Sequence, residues 1–234
     1  MKTYKDNKKW LWLLSVLYPT VGIPGLWMHY LTENTLWLLY PFVITYIFTP
    51  FLDTYFGEDN SNHPDEVQSD LEKISYYKIL TYIAVPIHIF VFFISAFYIG
   101  LIPLSLLEIL LISASAGLVS GIAINTGHEL GHKKTKIERS LAKIVLSIPA
   151  YGHFTIEHNR GHHSNVSTPE DAASAKMGEN IYEFALREMP ESFKNAISIE
   201  KKRLHRLGKS FWCFDNELMQ SFSLTLIFQV GLLI

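Results

Sequence analysis

The sequence predicts an all-α protein, a polytopic transmembrane helical bundle with a cytoplasmic helical layer that holds a histidine-rich site for two metal ions. Composition is the first observation behind this prediction. Of the 234 residues, 49% are hydrophobic and only 18% are charged, whereas soluble domains carry about 25% charged residues. The shortage of charge indicates a lipid environment. Long apolar segments and clustered histidines are the other two observations.

Five apolar segments predict the membrane spans, because about 20 helical residues cross the ~30 Å hydrocarbon layer. The predicted spans cover residues 10–31, 35–52, 79–99, 104–125 and 218–234. Gly22, Pro24 and Gly25 are expected to bend the first span, which membrane helices tolerate. The chain is still apolar where it stops at Ile234, so we expect a single membrane domain that is truncated within its fifth span.

Lysines set the predicted orientation of the chain. They precede the first span and follow the fourth, at Lys133, Lys134 and Lys136, while the two short turns on the other side contain neither Lys nor Arg. The positive-inside rule therefore places the amino terminus and the histidine-rich region 126–215 in the cytoplasm. A net charge of −2 gives no basic field for nucleic acid. The single cysteine excludes an intramolecular disulfide and a cysteine-based metal site.

Two compact groups contain five of the ten histidines: His128-Glu-Leu-Gly-His132 and Glu157-His158-Asn-Arg-Gly-His162-His163. Residues four apart share a face of an α-helix. His128 and His132 can therefore point at one ion, and so can His158 and His162, with His163 able to reach a second ion. Metal-binding side chains at the edge of a membrane are functional by default. These five histidines are the predicted metal ligands.

The number of histidines favours two ions over one. A catalytic zinc ion needs only three protein ligands and a water, so five imidazoles overfill one such site and underfill two sites of higher coordination. We therefore predict a dinuclear centre whose remaining ligands lie outside the 234 residues. Imidazole itself discriminates poorly between iron, zinc, copper and nickel.

Four further residues are candidates for supporting roles. Glu129 and Glu157 are neighbours of predicted ligands and can accept the second N–H of a metal-bound imidazole, or bind the metal directly. Asp171 can play a similar outer role, although a helix-start cap is the simpler interpretation. His153 can line the pocket or bind the metal.

Other polar features receive structural interpretations. His29 and His88 lie singly in apolar spans and are predicted to form hydrogen bonds between helices. Residues 138–156 form a short apolar stretch that is interrupted by Pro149 and is predicted to be a half-buried or re-entrant helix. The charged run at residues 200–206 is predicted to be a solvated helix face or a contact with lipid headgroups.

The two histidine groups resemble those of the membrane alkane hydroxylases. The residues that carry the resemblance are Asn125-Thr-Gly-His128-Glu-Leu-Gly-His132-Lys133 and the segment from Gly152 to His163, which contains Glu157-His158-Asn-Arg-Gly-His162-His163. The similarity continues through Thr168-Pro-Glu-Asp171 and Lys176-Met-Gly-Glu179, and upstream at Phe56-Gly-Glu-Asp59. It covers nearly the whole chain, and the pair of motifs at this spacing is specific.

The resemblance implies a six-span enzyme of the bacterial inner membrane with two non-haem iron ions at its cytoplasmic base. It also implies that medium-chain or long-chain n-alkanes enter from the bilayer and are hydroxylated at the terminal methyl with O₂. Electrons are expected from rubredoxin and its reductase. The later histidine motifs of the family are absent from these 234 residues, so the chain alone is predicted to be inactive.

Three alternatives remain open from the sequence. A membrane fatty-acyl desaturase or a xylene-type hydroxylase would use the same di-iron chemistry, although the glycine-containing second motif argues against a desaturase. An intramembrane zinc metalloprotease fits His128-Glu-Leu-Gly-His132, with Glu129 as general base, but leaves the second histidine group without a role. A membrane metal-binding or assembly protein is the non-enzymatic alternative.

Overall fold

A computed structural model describes residues 6–59, 66–67, 71 and 73–232 of the chain. Every regular element in these residues is a helix, which confirms the all-α prediction. Four helices are long and apolar enough to cross a membrane: α1 (Leu11–Thr32), α2 (Thr35–Phe56), α3 (Ser75–Leu101) and α4 (Leu106–Gly131). The chain is a membrane protein.

Four further helices follow α4. They are α5 (Lys136–Ser147), α6 (residues 154–165), α7 (Ile181–Arg206) and α8 (Glu217–Gly231). Helix α8 has 15 residues, fewer than the ~20 that cross a bilayer, and the last two residues of the predicted span 218–234 lie outside the described part. The fifth span stays a prediction. The chain divides into two compact units, residues 1–126 and 127–234.

The first unit contains helices whose outward side chains are largely apolar. Leu36, Phe51 and Leu106 are each more than 60% exposed, as expected for side chains that face lipid. Small apolar clusters pack between the helices, one around Val21, Val91 and Val119 and another around Leu26, Leu38 and Ile112. The core of this unit is therefore thin, and most of its apolar surface points outward.

Gly25 has a role that differs from the predicted bend. Two parts of α1 are 3₁₀ segments, Leu11–Leu13 and Tyr18–Val21, and the second includes Pro19. Gly22–Thr32 is a continuous α-helix. A Cβ atom at Gly25 would lie 2.7 Å from the carbonyl oxygen of Trp37 in α2. Glycine at this position therefore permits the close approach of α1 and α2.

Hydrogen bonds between helices use both span histidines of the first unit. His29 bonds through Nδ1 to Tyr98 Oη at 2.7 Å and through Nε2 to Glu108 Oε1 at 3.1 Å. His88 Nε2 lies 3.3 Å from Thr126 Oγ1. These contacts join α1, α3 and α4, in agreement with the interhelical role predicted for both residues.

The second unit packs α6, α7 and α8 around Ile156, Ala196 and Leu218. Helix α5 begins at the side-chain cap of Thr135 and ends at Ser147. The predicted single helix over residues 138–156 is therefore two helices, because the chain turns at residues 148–153 before α6 begins. Asn180 and Glu183 form a capping box that starts α7.

Candidate metal site

The end of α4 presents the first histidine pair. His128 lies in the last turn of the helix and His132 follows it, with the His132 backbone N–H donating to the carbonyl of His128 at 3.2 Å. The two Nε2 atoms lie 2.9 Å apart. The helical spacing read from the sequence therefore does bring these imidazoles together.

The second histidine group lies on α6, and its middle turn is not an α-helix. Phe154–Glu157 and His163–Asn165 are α-helical, whereas His158–His162 forms a π-helical turn. The His163 N–H donates to the carbonyl of His158, five residues back, which is the π-helical pattern. Side chains five apart consequently meet, and the ring centroids of His158 and His163 are 4.6 Å apart.

Imidazoles from α4 and α6 converge on one point. His158 Nε2 lies 3.2 Å from His132 Nε2, and one nitrogen from each of His128, His132 and His158 lies within 4.8 Å of the others. The rings of His132 and His163 are 5.0 Å apart. Because imidazole nitrogens bind metals at about 2.0–2.1 Å, nitrogens this close fit a shared metal ion.

The surroundings of His158 and His132 favour the neutral form of imidazole, which binds metals. Burial, with a smaller contribution from the neighbouring imidazoles, lowers the pKa of His158 to about 4. Burial and the neighbouring His128 also lower the pKa of His132. A neutral imidazole keeps a lone pair for a metal, so the donor set fits a metal ion at neutral pH.

His162 faces a carboxylate instead of the three converging nitrogens. Its Nδ1 lies 3.0 and 3.1 Å from the two oxygens of Asp171, so Nδ1–H is the donor and Nε2 is left as the atom for a metal. Burial alone would raise the pKa of Asp171, but hydrogen bonds from Ser174 and His162 outweigh it and lower that pKa. The cap that starts α7 is Asn180, so Asp171 does not have the helix-start role.

The two predicted glutamates have different surroundings. Glu129 Oε1 lies 3.2 Å from His128 Nδ1, and 62% of the Glu129 side chain is exposed. Glu157 is buried, and its Oε1 has no hydrogen-bond partner among the described residues. Burial raises the pKa of Glu157. A Cβ atom at Gly161 would lie 2.7 Å from that oxygen and 3.1 Å from Ile199, so glycine lets α6 pack against α7 here.

His153 lies apart from the three converging nitrogens. It is buried, its ring contacts Tyr151 and Phe193, and its Nε2 has no partner among the described residues. Burial lowers its pKa to about 4. The assignments of all the site residues as ligands or supporting groups remain predictions.

Comparison with known proteins identifies the family of the chain. The family model of fatty acid desaturases matches residues 104–234, which include both histidine groups. The chain belongs to the fatty acid desaturase family. This match covers more than half of the chain and contains every histidine that converges at the site.

Relatives of this desaturase-family chain support the resemblance seen in its sequence. It is 47% identical to alkane 1-monooxygenase 1 of Alcanivorax borkumensis over 230 residues, and 48% identical to the alkane 1-monooxygenase of Ectopseudomonas oleovorans over 233 residues. Each alignment covers 98% of this chain and 57% of the relative. A xylene/toluene monooxygenase hydroxylase component of Pseudomonas putida is 31% identical over 109 residues, covering 46% of this chain and 30% of the relative. The predicted resemblance to membrane alkane hydroxylases is confirmed.

Sequence reasoning missed an arginine that shapes the surroundings of His162 in this desaturase-family chain. Arg187 of α7 donates to the carbonyl oxygens of Ala172 and Ser174, both at 3.0 Å. It also donates to both carboxylate oxygens of Glu179, at 2.7 and 2.8 Å. These bonds hold the turn that contains Asp171. Nothing in the sequence pattern links residue 187 to residue 171.

The charged run at the end of α7 was interpreted incorrectly for one residue. Glu200 is fully buried and accepts hydrogen bonds from Arg203 at 2.6 and 2.7 Å, so it is neither on a solvated face nor at a lipid headgroup. Arg160, in the π-helical turn of α6, also bonds to Glu200, at 3.3 Å. A buried acid can be recognised from sequence only if its partners are known, and these lie up to 40 residues away.

Proposed function

We propose that the intact protein is a membrane alkane 1-monooxygenase that hydroxylates the terminal methyl of medium-chain or long-chain n-alkanes. The site would hold two non-haem iron ions on the cytoplasmic side of a bacterial inner membrane. The observation that carries the proposal is the convergence of His128, His132 and His158 from two separate helices at the end of a membrane-spanning helix. The chain spans only 57% of its alkane 1-monooxygenase relatives, so the activity is proposed for the intact protein.

The proposed reaction consumes an alkane, O₂, two electrons and two protons, and yields a primary alcohol and water. One C–H bond of the methyl group and the O–O bond break, and a C–O bond forms. When bound, iron would supply the activation of O₂. The protein's part is to provide neutral imidazoles, which the lowered pKa values of His132 and His158 favour, and to fix the orientation of His162 through Asp171.

Substrate binding is proposed to depend on apolar contact alone, since an alkane has no polar group. Each CH₂ that leaves water contributes about 0.8 kcal/mol. An alkane can therefore pass from the bilayer into an apolar channel at little cost, whereas a channel containing water would exclude it. The four apolar helices α1–α4 supply leucine, isoleucine and phenylalanine for such a channel. A narrow channel that admits the chain end first would explain selectivity for the terminal methyl.

Rubredoxin with its reductase is the proposed source of electrons, and the resemblance to alkane hydroxylases supports this choice. The lysines that follow α4 support the cytoplasmic side for the site. A soluble electron donor would then reach the metal ions without crossing the membrane.

The test is metal analysis and product analysis of the intact protein in membranes. We expect two iron ions per chain, and 1-octanol from octane when O₂, rubredoxin, its reductase and NADH are supplied. The His158→Ala variant is the matched control and should give no 1-octanol. A purified intact protein that takes up no iron, or one that binds a single zinc ion and cleaves peptides, would contradict the proposal.

A xylene-type hydroxylase is the second candidate, because one relative is a xylene/toluene monooxygenase component. The chemistry at the metal would be the same and only the channel would differ. Competition between octane and m-xylene in one assay separates the two candidates. Preferred oxidation of the xylene methyl group would favour the second candidate. Formation of a double bond in an acyl chain would instead indicate a desaturase.

A further inference from the structure

Arg160 joins the histidine-bearing turn to two other helices. It lies inside the π-helical turn of α6, between His158 and His162. Its guanidinium donates to Glu200 of α7 at 3.3 Å and to both carboxylate oxygens of Glu217 of α8 at 2.9 and 3.0 Å. A planar guanidinium bound to two carboxylates holds a defined orientation, so α6 is fixed at this residue.

Glu200 is the central carboxylate of the cluster that Arg160 forms with Glu200 and Glu217. It is fully buried and accepts four hydrogen bonds, from Arg160, twice from Arg203, and from the backbone N–H of Glu217 at 2.7 Å. The last bond occupies a free N–H at the start of α8. Counting Arg203 with the cluster, two arginines face two glutamates, so the formal charges balance.

The neighbouring residue fixes the same turn on another side. Asn159 Nδ2 donates to the carbonyl of Gly131, the last residue of α4, at 3.2 Å, and to the carbonyl of Thr155 at 3.0 Å. The first of these bonds connects the turn to the helix end that carries His128 and His132. The π-helical turn is therefore attached through Asn159 to α4 and through Arg160 to α7 and α8.

We infer that the cluster of Arg160, Glu200 and Glu217 is a positioning device that sets the helical register of the turn carrying His158, His162 and His163. The inference rests on the proposed metal-binding function. Residues three and four apart share a face of an α-helix, and residues five apart do not. A π-helical turn changes this, and it places the His163 ring 4.6 Å from His158 while His162 faces Asp171.

Without the cluster, the π-helical turn loses the contacts that hold it. A π-helical turn is rare and is found mostly at functional sites, so it persists where tertiary contacts hold it. If Arg160 loses its two carboxylates, α6 can return to α-helical hydrogen bonding. His163 would then rotate away from His158 and His132, and one imidazole would be lost from the site.

The test compares four variants of the intact protein in lipid nanodiscs. Arg160→Gln and Glu200→Gln remove the charge pairing between Arg160 and Glu200. Arg160→Lys keeps the positive charge but lacks the planar guanidinium that bonds to two carboxylates. Arg203→Gln is the matched control for stability, since Arg203 bonds to Glu200 and to the carbonyl of Asp215 at 2.6 Å but does not touch α6 in these contacts. The measurements are the Tm, the Kd for added Co²⁺, the number of coordinated imidazoles by X-ray absorption, and amide hydrogen exchange of residues 158–163 without metal.

Arg160→Gln is expected to weaken Co²⁺ binding by about 10–100-fold, as for other residues that orient metal ligands, and to lower the imidazole number. Arg160→Lys should fall between it and the wild type, and it decides the question if Arg160→Gln does not fold. Arg203→Gln should lower the Tm with the imidazole number unchanged. Equal losses of Co²⁺ affinity in Arg160→Gln and Arg203→Gln, or a wild-type imidazole number in Arg160→Gln, would overturn the inference.

Hydrogen exchange separates this inference from the proposed function. A wild-type protein that binds no Co²⁺ contradicts the metal site, but residues 158–163 should still exchange faster in Arg160→Gln than in Arg203→Gln if the cluster holds the turn. Unchanged exchange in Arg160→Gln contradicts the positioning role, whatever metal the protein binds.

Discussion

The two units of the chain each contain a histidine bonded to a carboxylate, and the surroundings of the two pairs differ. In the first unit His29 has both ring nitrogens bonded, to Tyr98 and to Glu108. In the second unit His162 bonds to Asp171 through Nδ1 alone among the contacts described. A histidine bonded at both nitrogens has no lone pair left for a metal, so the first pair can only join helices, whereas the second can orient a ligand.

The acids of the two pairs are held in different ways as well. Besides its contact with His29, Glu108 accepts from Thr35 at 2.7 Å and from the backbone and side chain of Ser105, both at 2.8 Å, and these three donors are uncharged groups at the ends of membrane helices. Asp171 lies in a turn fixed by the guanidinium of Arg187. In the second unit a charged side chain therefore holds the turn with the acid. Its buried polar groups lie around the histidines and not between lipid-facing helices.

Removing a histidine from each unit should give the largest contrast. His158→Ala deletes one of the three converging nitrogens and is expected to lower iron content and alkane hydroxylation by about 100-fold or more, beyond the 10–100-fold of outer residues. His29→Ala should leave the iron-to-protein ratio unchanged. Iron analysis and product analysis of the intact variants check this, and full iron content in His158→Ala would break the comparison.

Neutralising the acid of each pair should give a smaller contrast. Asp171→Asn removes the carboxylate that orients His162 and should weaken metal binding by about 10–100-fold. Glu108→Gln should leave the metal Kd at the wild-type value. The Kd for Fe²⁺ is measured by titration of metal-free protein. Ser174→Ala is the control, since it keeps the Asp171 carboxylate and removes its 2.6 Å bond from Ser174 together with the 3.3 Å bond that Ser174 accepts from the Ser167 N–H. Equal effects of Asp171→Asn and Glu108→Gln would show that the pairs do not differ in function.

Deleting the Glu108 side chain should affect stability instead of metal binding. Glu108→Ala removes the carboxylate that His29 and Thr35 share. Hydrogen bonds between membrane helices are each weakly stabilising, so we expect a small loss of unfolding free energy. Unfolding by detergent titration measures it. Thr35→Val removes a single bond and should cost about half as much or less. A lowered iron content at unchanged stability would contradict the helix-joining role.

The extent of sequence prediction also differs between the two units. The first four predicted spans overlap the four long apolar helices of the structure, because length and apolarity are enough to identify a candidate membrane helix. The spacing of His128 and His132 was equally informative, since α4 continues through the first of them. Membrane helices of this kind need little tertiary information, and a sequence pattern is then sufficient.

The arrangement of the histidines on α6 could not be predicted from their spacing in the sequence in the same way. Helical spacing pairs His158 with His162, and these two rings do stack at 5.2 Å, but the π-helical turn also brings His163 to His158 and directs His162 Nδ1 to Asp171. The turn depends on Arg160 and Asn159 finding partners on other helices. Tertiary contacts of that kind produce no periodic pattern in the sequence. The burial of Glu200 could not be predicted for the same reason.

Replacing His153 should give the smallest of these effects. It tests the direction in which the unfolding free energy changes with pH. Burial lowers its pKa to about 4 from the ordinary 6.5, so the unfolded chain binds a proton between these values and the folded protein does not. Its contribution to stability is therefore intact above about pH 6.5 and is lost as the pH falls towards 4. From about pH 7.5 to about pH 6 the loss should be about 1 kcal/mol.

The measurement compares the pH dependence of unfolding in the wild type and in His153→Phe, a change that keeps a ring against Tyr151 and Phe193. Glu157 acts in the opposite direction because burial raises its pKa, so the difference between the two proteins is the informative quantity. Removing the titrating ring should flatten the acid side of the profile. An acid limb that is equally steep in His153→Phe would mean that the neutral, buried ring of His153 does not couple folding of the second unit to protons.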